Sequence, residues 1–278
     1  MLKNRSDDEA LIFRCEDRIS ESLSFAELYN QVSKTAQHLK ELGVTKGDRV
    51  AGFLPNFAGS IVAMLATASI GAIWSSCSPD FGEQGVIDRF GQIEPKVLFC
   101  VDGYFYNGKS HNCLGKIKSF IARLPTLKQV VIFDYASLDN ISINNSIPYQ
   151  EIVDNYEPSE IDFERVGFDH PLYIMYSSGT TGVPKCIVHG HGGTLVQHLK
   201  EHQLQTNISA GDRVFYFTTC SWMMWNWLVS ALGTGATIML YDGSPTYPDN
   251  IVLWKFADEE QFSHFWYLGK IHRNVNEK

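Results

Sequence analysis

Several signals that would assign this 278-residue chain to a common class are missing from its sequence. No run of Lys or Arg is longer than two residues, and the formal net charge is -8. Nucleic acids and anionic membranes are bound through clustered basic side chains, so the sequence predicts neither as a partner. Residues 1–8 contain no apolar segment of the kind found in a signal peptide, and we therefore expect a cytosolic protein.

Paired cysteines are also lacking. No two of the six cysteines form a C-x-x-C motif, and their spacing is irregular. In a chain of this size such a pattern argues against a disulfide framework, and no local signature supports a catalytic thiol. The sequence predicts buried or partly buried free thiols at Cys15, Cys77, Cys100, Cys113, Cys186 and Cys220.

The segment from Trp222 to Tyr241 is the most membrane-like in the chain, and it has about the length of a membrane span. The sequence Gly-Thr-Gly at 233–235 divides it into a short helix-like part and a strand-like part at 236–241. We therefore predict two buried core elements here, and no membrane-spanning helix.

What is present indicates an α/β fold. Hydrophobic residues make up 44% of the chain, enough for a sizeable core. A capping box at 24–27 predicts the start of a helix that ends near Gly43. Solid apolar runs alternate with helix-like segments, which is typical of helix-covered, mostly parallel sheets. Strands are predicted at 49–54, 72–76, 96–101, 129–133 and 186–189, helices at 60–69 and 115–124, and surface loops at 137–160.

The chain also contains an internal echo. The sequence Gly-Asp-Arg-Val occurs at 47–50 and again at 211–214. Each copy is followed by a strand, a break, a helix-like segment, a glycine and another strand. The sequence therefore predicts two βαβ-like units.

The segment YSSGTTGVPK at 176–185 carries the candidate chemistry. Its glycines permit close backbone approach, its hydroxyl groups can donate hydrogen bonds, and Lys185 adds a mobile positive charge. It is not a Walker loop, because Pro184 stands where that motif has its second glycine and Cys186 follows the lysine. A strand-like segment comes next, which predicts a hairpin. The residue types allow either a phosphate-binding loop or an ordinary polar surface hairpin.

This ten-residue segment closely resembles the signature of the adenylate-forming enzymes, a family that includes acyl-CoA synthetases. Within that family, residues 186–202, 222–227 and 241–245 resemble the branch that activates acetoacetate, with the acetate-activating branch next. The resemblance implies an acyl-adenylate made from ATP and an acid, followed by displacement of AMP by the thiol of CoA. It also implies Mg²⁺, and it assigns the ATP phosphates to Ser177, Ser178, Gly179, Thr180, Thr181, Gly182 and Lys185.

The same resemblance suggests two further contacts. Trp222, Met223 and Met224 would line the acyl pocket, although an apolar helix in the core is an equal interpretation. Arg89 would contact a phosphate of CoA, the alternative being an exposed helix arginine paired with a neighbouring acid.

The same region contains a motif that suggests a different chemistry, a zinc hydrolase. His198, Glu201 and His202 form H-x-x-E-H, the inverted zinc-protease motif, and two histidines four residues apart share a helix face. Glu259 or Glu260 would have to supply a third ligand. The plainer interpretation is two solvated histidines on a polar helix face, with no metal.

The resemblance also sets an expectation for the extent of the site. It covers residues 1–264 as part of the large domain, whereas residues 265–278 diverge from the family. The family's later elements include a C-terminal lid that carries a further lysine. Without these elements the reacting groups would be poorly held. We therefore expect little ligase activity from the chain alone, and the alternative function is an inactive fragment that binds nucleotide or a partner.

Overall fold

The computed structural model describes residues 1–138, 142–177 and 182–267. The strands are β1 Glu9–Cys15, β2 Ile19–Ser24, β3 Arg49–Phe53, β4 Ile73–Cys77, β5 Val97–Val101, β6 Gly103–Tyr106, β7 Lys109–Asn112, β8 Gln129–Phe133, β9 Ser146–Pro148, β10 Pro171–Tyr176, β11 Cys186–Gly190, β12 Arg213–Tyr216, β13 Thr237–Asp242 and β14 His264–Trp266. The helices are α1 Phe25–Glu41, α2 Ala58–Ser69, α3 Glu83–Ile93, α4 Leu114–Ile121, α5 Tyr149–Asn155, α6 His191–Lys200, α7 Met223–Ser230 and α8 Val252–Glu260.

The larger sheet has seven strands in the order β11-β10-β4-β3-β5-β8-β9. Its pairs are parallel except for β10 with β11, which run antiparallel. The strands β3, β4 and β5 are buried almost throughout, as expected for central strands covered on both faces. The predicted helix-covered, mostly parallel α/β architecture is confirmed.

A second sheet has five strands in the order β14-β12-β13-β1-β2, and only β1 with β2 is antiparallel. The two βαβ units predicted from the Gly-Asp-Arg-Val echo are both present. In the first, β3 and β4 are parallel and flank α2, and in the second, β12 and β13 are parallel and flank α7. One unit lies in each sheet.

The two sheets share a hydrophobic core. A single buried cluster includes Val50 and Val97 of the larger sheet together with Ile238 and Leu240 of the smaller one. Helix α2 is buried on nearly every residue, which explains its small, uniformly apolar sequence. The hairpin β10–β11 lies at the edge of the larger sheet, beside this packed core.

Some elements differ from the prediction. The region 137–160 was expected to hold only loops, but it contains β9 and α5. The strands β1 and β2, which form the outer part of the smaller sheet, were not predicted at all. The membrane-like segment divides as expected into α7, a 3-10 turn at Ala231–Thr234 and β13.

Two predicted absences can be compared with the structure. All six cysteines are described, and none is in a disulfide; five are buried and Cys186 is exposed. Cys186 thus differs from the expectation of buried or partly buried thiols. Of the helices in the described ranges, none combines the length and apolar character needed to cross a bilayer.

Candidate phosphate-binding hairpin

The candidate loop connects β10 to β11 at the edge of the larger sheet. The last paired residues are Tyr176 and Cys186, and one residue further out Ser177 N donates to Lys185 O at 3.0 Å. A strand therefore follows the loop, as the sequence predicts, where a Walker loop would lead into a helix. Of the loop residues that the structure describes, Gly182, Val183 and Lys185 are exposed.

Three of the seven predicted phosphate ligands lie in the described residues, namely Ser177, Gly182 and Lys185. Gly182 is exposed with φ +145°, a conformation that favours glycine, and a Cβ there would meet nothing within 4 Å. Lys185 is exposed and pairs with no carboxylate among the described residues. The predicted ligands Ser178, Gly179, Thr180 and Thr181 lie outside the described residues.

The inner side of the hairpin is fixed to the sheet. The hydroxyl groups of Tyr176 and Ser75 lie 2.9 Å apart, and Ser75 belongs to the neighbouring strand β4. Burial raises the pKa of Tyr176 well above its ordinary value, so this side chain stays a neutral hydrogen-bonding group. The loop therefore starts from a fixed point.

Arg89 of helix α3 lies beside this fixed point. Its guanidinium carbon is 4.5 Å from the centre of the Phe81 ring and 5.7 Å from that of Tyr176. Its Nη1 donates to Gly85 O at 2.7 Å. In the part of the chain that the structure describes, no acid pairs with Arg89, so the alternative of a helix ion pair is wrong there. A cation held by stacking beside the hairpin remains available to an anion.

Sequence reasoning missed a second residue of α3. Gln92 Nε2 donates to Pro184 O at 2.8 Å, and its Oε1 lies 3.7 Å from the thiol of Cys186. The signal was present in the spacing, because residues three apart on a helix share a face and Gln92 follows Arg89 by three. Only the packing of α3 against β11 shows what that face contacts.

The predicted acyl-pocket residues stand at the start of α7. Met224 lines an open cleft of about 430 Å³ together with Tyr216, Trp227 and Trp266. Trp222 and Met223 are 62% and 38% exposed, so they are not packed into the core as the alternative interpretation required. The structure thus brings Met224 to an aromatic cleft and leaves its two neighbours at the surface.

The zinc-hydrolase alternative is wrong, because its residues are committed to other partners. His198 Nδ1 and His202 Nε2 lie 2.9 and 2.8 Å from the hydroxyl of Ser230, and Glu201 accepts a bond from Trp227 Nε1. The proposed third ligands pair with arginines of other strands. No group of three metal-ligating side chains occurs in the described ranges.

The two histidines are also not solvated, as the plainer interpretation had it. Both are buried, at 3% and 0% exposed, against helix α7. Loss of hydration on burial lowers the pKa of His198 to about 4 and also lowers that of His202. They form a neutral, hydrogen-bonded part of the core.

Comparison with known proteins agrees with the fold. A model of the AMP-binding enzyme family matches residues 2–278. Acetoacetyl-coenzyme A synthetase of Rhizobium meliloti (strain 1021) is 51% identical over 267 residues, which are 95% of this chain and 41% of that protein. The acetoacetyl-CoA synthetase of Gallus gallus is 49% identical, with 93% of this chain and 40% of that protein covered.

A solved structure gives the same result in three dimensions. The acetoacetyl-CoA synthetase from Streptomyces lividans matches with a TM-score of 0.91 and 43% sequence identity, covering 95% of this chain and 40% of that one. The chain thus spans about two fifths of the length of these relatives. On the family match and these relatives, the chain belongs to the AMP-binding enzymes.

Proposed function

We propose that this chain takes part in ATP-dependent ligation of a short carboxylic acid to CoA, with acetoacetate as the acid. The observation that carries the proposal is an edge hairpin in a chain of the AMP-binding family, on which Gly182 and Lys185 are exposed and the lysine has no carboxylate partner among the described residues. The named activity of the relatives supports the reaction and the substrate.

The hairpin's part in this proposal is to hold the triphosphate of ATP. Ser177, Gly182 and Lys185 would do so with the four loop residues 178–181 that lie outside the described ranges. A triphosphate carries several negative charges, and Lys185 is a cation on the hairpin with no carboxylate partner in the described chain. Mg²⁺ would enter as the ion bound to the triphosphate and supply further charge neutralisation.

In the proposed reaction a carboxylate oxygen of the acid attacks the α-phosphorus and pyrophosphate leaves. The CoA thiolate then attacks the acyl carbon, and AMP leaves. A hairpin that grips the β- and γ-phosphates stabilises the charge that builds up on the departing pyrophosphate. Gly182 has no side chain, so the backbone of the hairpin can approach those oxygens closely.

The acid and CoA sites extend the proposal to other residues. Trp222, Met223 and Met224 at the start of α7 would line the acyl pocket, and methionine suits an adaptable wall. Arg89 would contact a phosphate of CoA, which its stacked guanidinium supports, since no carboxylate in the described residues pairs with it. Acetate or a short branched acid are the competing substrates.

Pyrophosphate exchange tests the chemistry directly. Radiolabelled pyrophosphate is incubated with the chain, MgATP and one acid at a time from a panel of acetate, butyrate, isobutyrate and acetoacetate. We expect label to enter ATP fastest with acetoacetate. Faster exchange with another acid would reject acetoacetate and keep the reaction class.

A second candidate function rests on the edge hairpin alone. In this alternative the chain binds nucleotide through the hairpin and carries out no ligation. Calorimetric binding of MgATP without exchange by any acid of the panel would support it. Exchange with any of them would defeat it.

A further inference from the structure

The backbone hydrogen bonds between β10 and β11 end at Lys185, before Pro184. Ser177 N to Lys185 O is the outermost backbone bond of the ladder in the described residues. Pro184 comes next and has no N–H, so it cannot donate a further bond to the opposite strand. Lys185 therefore sits where backbone pairing gives way to the open loop, and backbone pairing alone does not fix its outer side.

Beyond the last backbone bond, the Gln92 side chain of α3 holds the hairpin. Gln92 of α3 donates one amide hydrogen to Pro184 O at 2.8 Å, and the other to Asp88 O of its own helix at 2.5 Å. Its carbonyl oxygen lies 3.7 Å from the Cys186 thiol, which can donate to it. Both amide hydrogens and the carbonyl oxygen of Gln92 thus have partners, and the two partners in the hairpin, Pro184 and Cys186, flank Lys185.

The entry strand is held by the same helix face. Arg89, one turn before Gln92, stacks near the ring of Tyr176, the last paired residue of β10. Both strands at the mouth of the loop thus rest on a single face of α3. Helix α3 is in turn anchored in the core through buried Val86, Phe90 and Ile93.

We propose that Gln92 is a positioning residue for the phosphate-binding hairpin, one that fixes the segment 184–186 and with it the direction of Lys185. This inference rests on the proposed function of the hairpin. Gln92 would not touch the reacting atoms. It would restrict the conformations of Lys185 in the free protein. Less conformational entropy is then lost when the triphosphate binds.

The structure supplies its own reporter for the test. Cys186 is the exposed thiol next to Lys185, and the other five cysteines are buried. Its alkylation by iodoacetamide is followed by mass spectrometry at rising MgATP, with each rate normalised to the same protein without nucleotide. If the hairpin binds the triphosphate, MgATP protects Cys186, and the half-protecting concentration measures nucleotide affinity.

Gln92→Met keeps the length of the side chain and removes all three hydrogen bonds. We expect the half-protecting MgATP concentration to rise roughly three- to tenfold, since net hydrogen bonds have modest worth. The limiting protection at saturating MgATP and the melting temperature should stay at the parent's values. A shift in concentration at unchanged limiting protection separates positioning from loss of fold.

Gln84→Met is the matched control, because Gln84 is exposed on the same helix and bonds to Asp88 and Arg123. It should leave the half-protecting concentration unchanged. Equal concentrations for the parent and Gln92→Met, or equal shifts in both variants, would overturn the positioning role. No protection of Cys186 in the parent would instead defeat the hairpin's proposed function, and the inference with it.

Discussion

At the scale of single residues, the buried histidine pair shows how packing decides chemistry. His198 and His202 carry a metal-binding sequence pattern, yet one nitrogen of each imidazole is hydrogen-bonded to the hydroxyl of Ser230. The neutral form is the one that such a site favours, because burial removes the hydration that a charged imidazole needs. Protonation should therefore cost stability.

The pH dependence of unfolding tests this point. The pKa of His198 is lowered to about 4 by burial, whereas an unfolded histidine titrates near 6.5. Its stabilising contribution is thus complete above pH 6.5 and is lost as the pH falls towards 4. Between pH 7 and pH 5 we expect the parent's free energy of unfolding to fall by about 2 kcal/mol more than that of His198→Gln, measured by urea denaturation.

The comparison must be a difference between two proteins, because Asp242 acts in the opposite direction. Burial raises the pKa of Asp242 to about 7, so its contribution to stability grows as the pH falls through the same range. That effect is present in both proteins and cancels. Parallel pH profiles for parent and variant would contradict a neutral buried His198.

The loop residues could be predicted from the sequence, but the surroundings of His198 and of Gln92 could not. Gly182 and Lys185 follow from the ten-residue segment itself, since glycine geometry and lysine charge are local properties. The burial of His198 depends on α7, and the role of Gln92 depends on where α3 meets β11. Contacts between segments that are distant in the chain cannot be predicted from a local sequence pattern.

At the scale of elements, helix α1 owes its start to local sequence. Ser24 accepts from Glu27 N at 3.1 Å, and the Glu27 carboxylate accepts from Ser24 N at 2.8 Å. The predicted capping box is therefore confirmed in full. It satisfies backbone donors that the first turn would otherwise leave unpaired.

Replacing the N-cap residue Ser24 should lower the stability of the protein. We expect Ser24→Ala to lower the free energy of unfolding by about 1 kcal/mol, because the Glu27 backbone N–H loses the serine hydroxyl as its acceptor. Urea denaturation measures the change. Ser22→Ala, on the exposed side of β2, should be near neutral, and a loss as large as that of Ser24→Ala would argue that the cap has no special role.

The outer strand β11 gives a second prediction at this scale. It ends the larger sheet and carries Ile187 and Val188, which are 47% and 55% exposed. An apolar edge strand with unpaired backbone groups is a template for association. Val188→Lys should reduce concentration-dependent association in sedimentation velocity, whereas Val196→Lys on α6, at a site 62% exposed, should have less effect. Equal effects would contradict an edge-strand origin.

Element prediction succeeded where the pattern was long or solid. The apolar runs of β5 and β8 and the glycine breaks around α2 and α7 identified the parallel core. The three-residue β9 and the seven-residue α5 were missed because short polar elements owe their form to the sheet they join. Strand β1 was also missed although it is buried; it pairs with β2 nearby and with β13, which lies more than 220 residues away.

At the scale of the whole molecule, the two sheets and their common core give the hairpin a rigid base at one edge. The fold matches that of the Streptomyces lividans enzyme over 95% of this chain. Adenylate chemistry needs groups on both sides of the triphosphate. The binding of ATP phosphates by the hairpin can be measured directly on this chain.

Isothermal titration calorimetry with MgATP and AMP, on the parent and on Lys185→Ala, tests that claim most directly. The account predicts that MgATP binds the parent at least tenfold more tightly than AMP, because only ATP offers β- and γ-phosphates to the hairpin. Lys185→Ala should remove most of this preference and keep the parent's melting temperature. Equal affinity of the parent for MgATP and AMP, or an unchanged preference in Lys185→Ala, would contradict it.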